Sequence, residues 1–232
     1  DGTLQVAEAY AAAYPERIVL LRNPENLGLA ASLNRCLAAA RGRYIARMDG
    51  DDRCSPDRLA AEVQALNRDP ALAVVSTDMG CFDEAGVWGT ISHPADPRPI
   101  DFLSGVPFCH AACMIRREAL TAVSGYSEDR RYQRVEDYHL WVRLYAAGFR
   151  GRNLHRTLYW VREDRAAYER RRFRYRVNEV RVRWKAVRCL GLPVAGYLSG
   201  LRPLLVGLLP PGLYRYLHRR KLQKFQGGNA EA

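Results

Sequence analysis

The stretch Arg43-Tyr44-Ile45-Ala46-Arg47-Met48-Asp49-Gly50-Asp51-Asp52-Arg53-Cys54-Ser55-Pro56-Asp57-Arg58-Leu59 decides how the chain is read. Tyr44 to Met48 are strand formers, and they end in three carboxylates within four positions. Ser55 then reads as a helix N-cap and Pro56 as the first helical residue. Leu59, Val63 and Leu66 follow at i, i+4 and i+7, which predicts a helix over Pro56–Asn67 with those three side chains as its buried stripe. Asp49, Asp51 and Asp52 are thereby placed on a loop at the C-terminal end of a strand. Open α/β sheets put their ligand sites there.

Carboxylates this close repel one another and raise each other's pKa unless a cation sits among them. Oxygen ligands on a short loop suit Mg²⁺ or Mn²⁺, which keep positions open for water and phosphate oxygens. Taken alone, the same four residues also spell a polar turn. The strand before them and the capped helix after them favour the ion site.

Working outward, charge divides the chain. The formal net charge is +11, yet residues 1–164 hold 20 basic and 22 acidic side chains, while residues 165–224 hold 16 basic and 2 acidic. We therefore expect a nearly neutral domain over 1–164 and a basic helical tail over 165–232 that faces something anionic. The chain's 232 residues are enough to bury a sizeable core. The six cysteines show no Cys-x-x-Cys pair and no zinc-like spacing, so reduced thiols of a cytosolic protein are expected. No apolar run of about 18 residues is free of charge and proline, so no membrane span is expected.

Helices and strands alternate on both sides of the acidic loop. A helix is predicted from Thr3 to about Ala13, and a short buried strand from Arg17 to Leu21. A second helix runs from about Leu29 to Ala40, with Leu33, Cys36, Leu37 and Ala40 inward and Gly42 as its stop. Ala71–Thr77 reads as an apolar strand, Cys81–Ile91 as a hairpin turning at Asp83-Glu84-Ala85-Gly86, and Pro94–Pro99 as a loop. Beyond Glu136, Leu140, Trp141, Leu144 and Ala147 mark a helix that Gly148 ends.

Several motifs then agree in order and spacing with one family. Asn26-Leu27-Gly28-Leu29-Ala30-Ala31-Ser32-Leu33-Asn34, Gly42-Arg43-Tyr44-Ile45, Asp49-Gly50-Asp51-Asp52 and Ser55-Pro56-Asp57-Arg58-Leu59 resemble the first half of family-2 glycosyltransferases. Pro107-Phe108-Cys109-His110, Cys113-Met114-Ile115-Arg116-Arg117-Glu118, Gly125-Tyr126 and Glu136-Asp137-Tyr138-His139-Leu140-Trp141 resemble the second half. The likeness covers roughly residues 1 to 162. It implies the GT-A fold, a Rossmann-like mixed central sheet flanked by helices. It also implies an inverting transfer of sugar from a nucleoside-diphosphate donor, a UDP-sugar first, to a glycan or lipid-linked acceptor.

The resemblance gives each matched residue a task. Asp51 corresponds to the carboxylate of the DxD motif that binds Mn²⁺ or Mg²⁺ at the donor diphosphate. Asp49 falls where the ribose or donor sugar is contacted, and Asp52 beside the metal or sugar. Asn26 and Gly28 fall in the nucleoside pocket. Asp137 is the expected base that deprotonates the acceptor hydroxyl, with Glu136 as its alternative. His110 and Tyr132 are candidates for the acceptor pocket. Two features depart from the pattern. The family's opening strand and its Asp-Asp-Gly-Ser segment are represented only by Asp1-Gly2-Thr3, so an incomplete N-terminal half is expected. Val180 stands where processive members carry the Gln of Gln-x-x-Arg-Trp, which favours single addition over polymerisation.

In the tail, Phe173, Val177, Val180 and Trp184 are expected on one side of an arginine-rich helix. Leu190–Leu213 is apolar but broken by prolines, and Tyr214–Phe225 adds further arginines and lysines. Such a pattern suits a tail lying on an anionic membrane without crossing it. Together these readings describe a peripheral enzyme at the inner face of the plasma membrane, acting in cell-surface polysaccharide synthesis, with no nucleic acid as partner. The alternative is a catalytically impaired GT-A-like protein that binds membrane or nucleic acid.

Overall fold

In the computed structural model, residues 2–162 and 173–208 are described. Helix α1 spans Thr3–Ala13 and α2 spans Leu29–Ala39. Strands β1 (Tyr44–Ala46) and β2 (Arg53–Cys54) flank the acidic loop, and α3 covers Arg58–Arg68. Strand β3 (Leu72–Asp83) turns into β4 (Gly86–Ile91). Strand β5 (Met114–Arg116), α4 (Arg117–Ala122), α5 (Glu136–Ala146) and β6 (Arg150–Arg162) follow. The described chain ends in α6 (Phe173–Cys189), α7 (Gly196–Gly200) and α8 (Arg202–Gly207).

The sheet runs β1-β5-β3-β6-β2, with β4 paired to β3 beside that path. Only β3 and β6 pair in parallel; the other neighbours are antiparallel. Alternation along β3 and β5 separates two packing faces. Val74 and Ile115 meet Phe108, Trp141 and Leu144 on one side, whereas Val75 and Met114 meet Leu66 and Leu72 on the other. A strand covered on both faces must be apolar on both, and Leu72–Thr77 is buried without a break. Gly151 fits this core because any Cβ there would stand 2.4 Å from Cζ of Phe108.

Several expectations are corrected. Residues 17–21 form no strand; Val19, Leu20 and Leu21 are exposed, and no strand pairs with them among the described residues. On α2, Cys36 points outward. The helix after the acidic loop buries Arg58, Glu62 and Leu66, while Leu59 is half exposed. Its inward stripe therefore starts one residue earlier than the apolar spacing implies, because an ion pair takes two of its positions. Ala147 lies exposed at the end of α5.

In α6 the buried residues include Asn178, Val182 and Ala186, and the last two join the core of the body. Asn178 donates to the Gln133 carbonyl at 3.0 Å and Arg183 to that of Leu103 at 2.5 Å. Phe173 and Trp184 sit on another flank, beneath α7 and α8. The expectations for residues 165–172 and for Tyr214–Phe225 lie outside the described residues.

Candidate active site

Strand β1 delivers the chain to the acidic loop, and the three carboxylates meet different fates there. Arg47 donates through Nη2 to both oxygens of Asp49, at 2.6 and 2.9 Å. Asp52 accepts from the Tyr159 hydroxyl at 2.6 Å and from the Arg162 N–H at 2.8 Å, so both its oxygens are occupied. Asp51 is exposed and has no hydrogen-bond or ion-pair partner among the described residues. Burial first, and then the charges of Asp52 and Asp51, push the Asp49 carboxyl up against the pull of Arg47.

The backbone of this loop is anchored from below. Tyr159, fully buried on β6, also accepts from the Asp49 N–H at 3.0 Å. Arg58 lies with its guanidinium 4.8 Å from the Tyr159 ring centre and donates to the Arg47 carbonyl at 2.9 Å. The same nitrogen reaches toward the carbonyls of Ala111 and Cys113, at 3.4 and 3.5 Å. Glu62, also buried, is its ion-pair partner at 3.2 Å. Desolvation dominates at Glu62 and raises its pKa to about 7 despite Arg58. Charge pairs in such an environment are costly unless their geometry is fixed.

The second carboxylate pair opens α5. Glu136 and Asp137 occupy its first turn, where the helix dipole favours negative charge. Burial, helped by Glu136, raises Asp137 to about 6, while the Tyr138 N–H and Arg47 act to lower it. A carboxyl poised there is well placed for proton transfer near neutral pH. His110 Nε2 is 2.7 Å from the Tyr126 hydroxyl, and its ring stands edge-on to Trp141 at 5.7 Å. Burial, with Arg47 as the next cause, holds His110 well below the usual imidazole range, so it is neutral.

Arg47 links the two halves, since its charge is felt at Asp49, His110, Tyr126 and Asp137. Tyr126 is held from α2: Asn34 Oδ1 accepts its N–H at 2.8 Å, and Asn34 Nδ2 donates to its carbonyl at 2.9 Å. The remaining sequence-predicted residues are placed differently. Asn26 Oδ1 accepts the Gly28 N–H at 3.0 Å, closing a turn in which Gly28 takes φ +82° before α2. No hydrogen bond or ion pair joins this turn to the acidic loop among the described residues. Tyr132 stacks on His139 at 3.6 Å, with Lys185 5.3 Å from the ring centre.

Arg47, Arg58, Tyr159, Asn34 and Tyr126 carry the architecture of the site, yet sequence reasoning passed over their roles. The one available signal was arginine at two otherwise unremarkable positions beside the acidic loop. No group of three or more His, Cys, Asp or Glu side chains could hold a metal ion among the described residues. One unpaired carboxylate on an otherwise tied loop instead fits an ion that takes most of its ligands from water and phosphate oxygens.

A mixed sheet flanked by helices, with carboxylates at the strand ends, is the architecture that the resemblance to GT-A enzymes implies. Residues 1–123 match Glycosyl transferase family 2. The putative glycosyltransferase EpsE of Bacillus subtilis (strain 168) is 42% identical over 228 residues, covering 98% of this chain and 82% of the relative. The chain therefore belongs to glycosyl transferase family 2. It is also 24% identical over 206 residues to the UDP-Gal:alpha-D-GlcNAc-diphosphoundecaprenol beta-1,3-galactosyltransferase of Escherichia coli, covering 87% of this chain and 74% of that one. Among solved structures, the mannosyltransferase PcManGT of Pyrobaculum calidifontis, in complex with GDP-Man and Mn²⁺, superposes with a TM-score of 0.59 at 20% identity. That match covers 94% of this chain, which spans 66% of the solved one.

Proposed function

We propose that this glycosyltransferase moves one sugar from a nucleoside-diphosphate donor, a UDP-sugar, to a glycan or lipid-linked acceptor with inversion, in cell-surface polysaccharide synthesis. The observation that carries the reading is the division of labour in the acidic loop. Asp49 and Asp52 are tied to Arg47, Tyr159 and the β6 backbone, leaving Asp51 free to meet an ion. Named substrates of the relatives support the donor and acceptor classes: UDP-Gal and a diphosphoundecaprenol-linked sugar for one, GDP-Man with Mn²⁺ for another.

Asp51 would hold Mn²⁺ or Mg²⁺, which supplies charge neutralisation at the departing diphosphate when bound. Asp49 and Asp52 present a fixed acceptor surface to the ribose or donor sugar, and Asn26 with Gly28 lies on the nucleoside side. Asp137 takes the proton from the acceptor hydroxyl as that oxygen attacks the anomeric carbon and the bond to the nucleoside diphosphate breaks on the opposite face. Glu136 beside it raises its basicity. Neutral His110 offers a hydrogen bond to the acceptor, and Tyr132 supports the turn that leads into α5.

In the same reading, residues 1–164 form the catalytic domain and residues 165–232 a basic appendage whose α6 packs onto it. The appendage keeps the enzyme at the inner, anionic face of the plasma membrane, near a lipid-linked acceptor. No helix among the described residues is long and apolar enough to cross a membrane.

Calorimetric titration of UDP with and without Mn²⁺ tests the reading. Mn²⁺-dependent binding that Asp51→Ala removes is expected. Absence of nucleotide binding with or without Mn²⁺, beside lipid or nucleic-acid binding that ignores Asp51, would replace it with the non-catalytic alternative.

A further inference from the structure

The end of the described chain is packed inside out. Helices α7 and α8 are joined through Leu201 in helical backbone conformation, so residues 195–208 form a nearly continuous rod. Its smallest residues face inward. Gly196, Gly200 and Pro203 are buried. An added Cβ would stand 2.9 Å from Val187 at Gly196 and 2.9 Å from Trp184 at Gly200, and 3.2 Å from Arg176 at Gly207. Glycine at these positions lets the rod lie close against α6.

The large apolar residues face the other way. Val194, Leu198, Leu205 and Leu208 are 80%, 75%, 65% and 72% exposed. Leu198, Leu205 and Leu208, at i, i+7 and i+10 along the rod, fall within one stripe of a 3.6-residue helix, and Val194 lies in the turn that leads into it. Single exposed leucines need no explanation, but a row of three opposite a glycine seam does.

The geometry points to this ridge as a bilayer-inserting edge that seats the enzyme in the interface of an anionic membrane. The inference deepens the membrane-surface reading above and rests on it for the occupant. Three observations select a bilayer. The exposed charged residues flanking the ridge in sequence, Arg181, Arg188 and Arg202, are all cationic, within a region of 16 basic and 2 acidic side chains. A second copy would bring two such surfaces together and repel itself, whereas anionic headgroups complement them. At the flank of the rod, Tyr197 pairs at 6.1 Å with Trp184, which lies beneath the rod and is 41% exposed, the amphipathic aromatic type that favours a membrane–water interface. Finally, no helix among the described residues is long enough to span, so the apolar row lies in the plane of the surface.

The test is sedimentation of the full chain with phosphatidylglycerol-containing vesicles, compared with pure phosphatidylcholine vesicles. The double variant Leu198→Asp/Leu205→Asp, both positions pointing away from the fold, should partition onto anionic vesicles at least about tenfold more weakly, as expected when buried aliphatic area is replaced by charge. Its thermal unfolding and its Mn²⁺-dependent UDP binding should match the parent. Binding by the parent should also survive about 0.5 M NaCl in part, since salt screens the arginines but not an inserted ridge. A parent that binds and a folded variant that binds equally would overturn the ridge and leave the basic tail as the anchor. A parent that ignores anionic vesicles would overturn both. Conversion of a dimer to a monomer by the variant, with vesicle binding intact, would assign the ridge to a second copy and overturn the inference.

Discussion

The Tyr159 hydroxyl donates to Asp52 Oδ2 at 2.6 Å while accepting the Asp49 N–H at 3.0 Å, so one buried phenol fixes both ends of the acidic loop. Asp51, between them, is left as the carboxylate with freedom to choose a ligand. The loop's geometry is thus anchored from β6, more than a hundred residues later in the chain.

Tyr159→Phe keeps the ring that Arg58 faces and removes only this hydroxyl. A hydrogen bond to a charged group contributes about 1.5–3 kcal/mol. We expect Mn²⁺-dependent UDP affinity to fall by about tenfold or more, with a small loss of thermal stability. Calorimetric titration beside thermal unfolding separates the two effects. Unchanged affinity would show that Asp52 is held well enough by the Arg162 N–H alone.

Asn34 bonds both the backbone N–H and the carbonyl of Tyr126, and Tyr126 in turn holds His110. Asn34→Ala leaves a backbone N–H and a carbonyl without that partner, a change that costs about 1–3 kcal/mol where the groups stay buried. The expected result is a lower unfolding midpoint and a shifted His110 imidazole signal in NMR, with UDP binding retained. Loss of UDP binding as well would mean that Tyr126 supports the donor half too.

Glu62 carries a pH signature. Its folded pKa of about 7 lies above the ordinary value of 4.5, because burial outweighs Arg58. A raised folded pKa means the native state binds the proton more tightly, so stability is fully present below about 4.5 and is lost as pH rises through about 7. Glu62→Gln removes that dependence. Its unfolding midpoint should gain on the parent as pH climbs from about 4.5 to about 7.5, the interval set by the two pKa values. A constant difference across that interval would show that the Arg58 pair, not burial, governs Glu62.

What could be read from residues alone follows from what they encode locally. The hairpin turning at Asp83–Gly86 and the helix opening at Glu136 emerged because turn chemistry and apolar spacing are local signals. The stripe of α3 was misplaced because Arg58 and Glu62 look like surface residues until the partners that neutralise them are known. Besides each other, Arg58 and Glu62 rely on partners of Arg58 that include the carbonyls of Ala111 and Cys113 and the ring of Tyr159, all remote in sequence. Arg17–Leu21 failed in the opposite sense, since an apolar run becomes a strand only beside another strand. Phe173 and Trp184 were apolar as expected, but the glycines of α7 and α8 decided which flank they cover. Within the candidate site, the carboxylates were legible and the groups that aim them were not.

The proposed base, Asp137, sits in the first turn of α5. Asp137 is raised to about 6 by burial and by Glu136, and Arg47 opposes both. A base works only in its ionised form, so transfer should fall as pH drops through about 6 and level off above it. Asp137→Asn should reduce turnover by about a hundredfold or more, the usual size of a general-base contribution, while leaving UDP binding intact. Arg47→Gln removes the positive charge that stabilises the Asp137 carboxylate, so the acidic limb should move to higher pH. Carbon NMR of the Asp137 carboxyl follows the same titration without any substrate. A midpoint that rises in Arg47→Gln by NMR, together with a matching shift in UDP release from a UDP-sugar, would tie the proton acceptor to this residue. A shift in the NMR titration with an unmoved rate profile would transfer the role of base to Glu136, the other carboxylate in the first turn of α5.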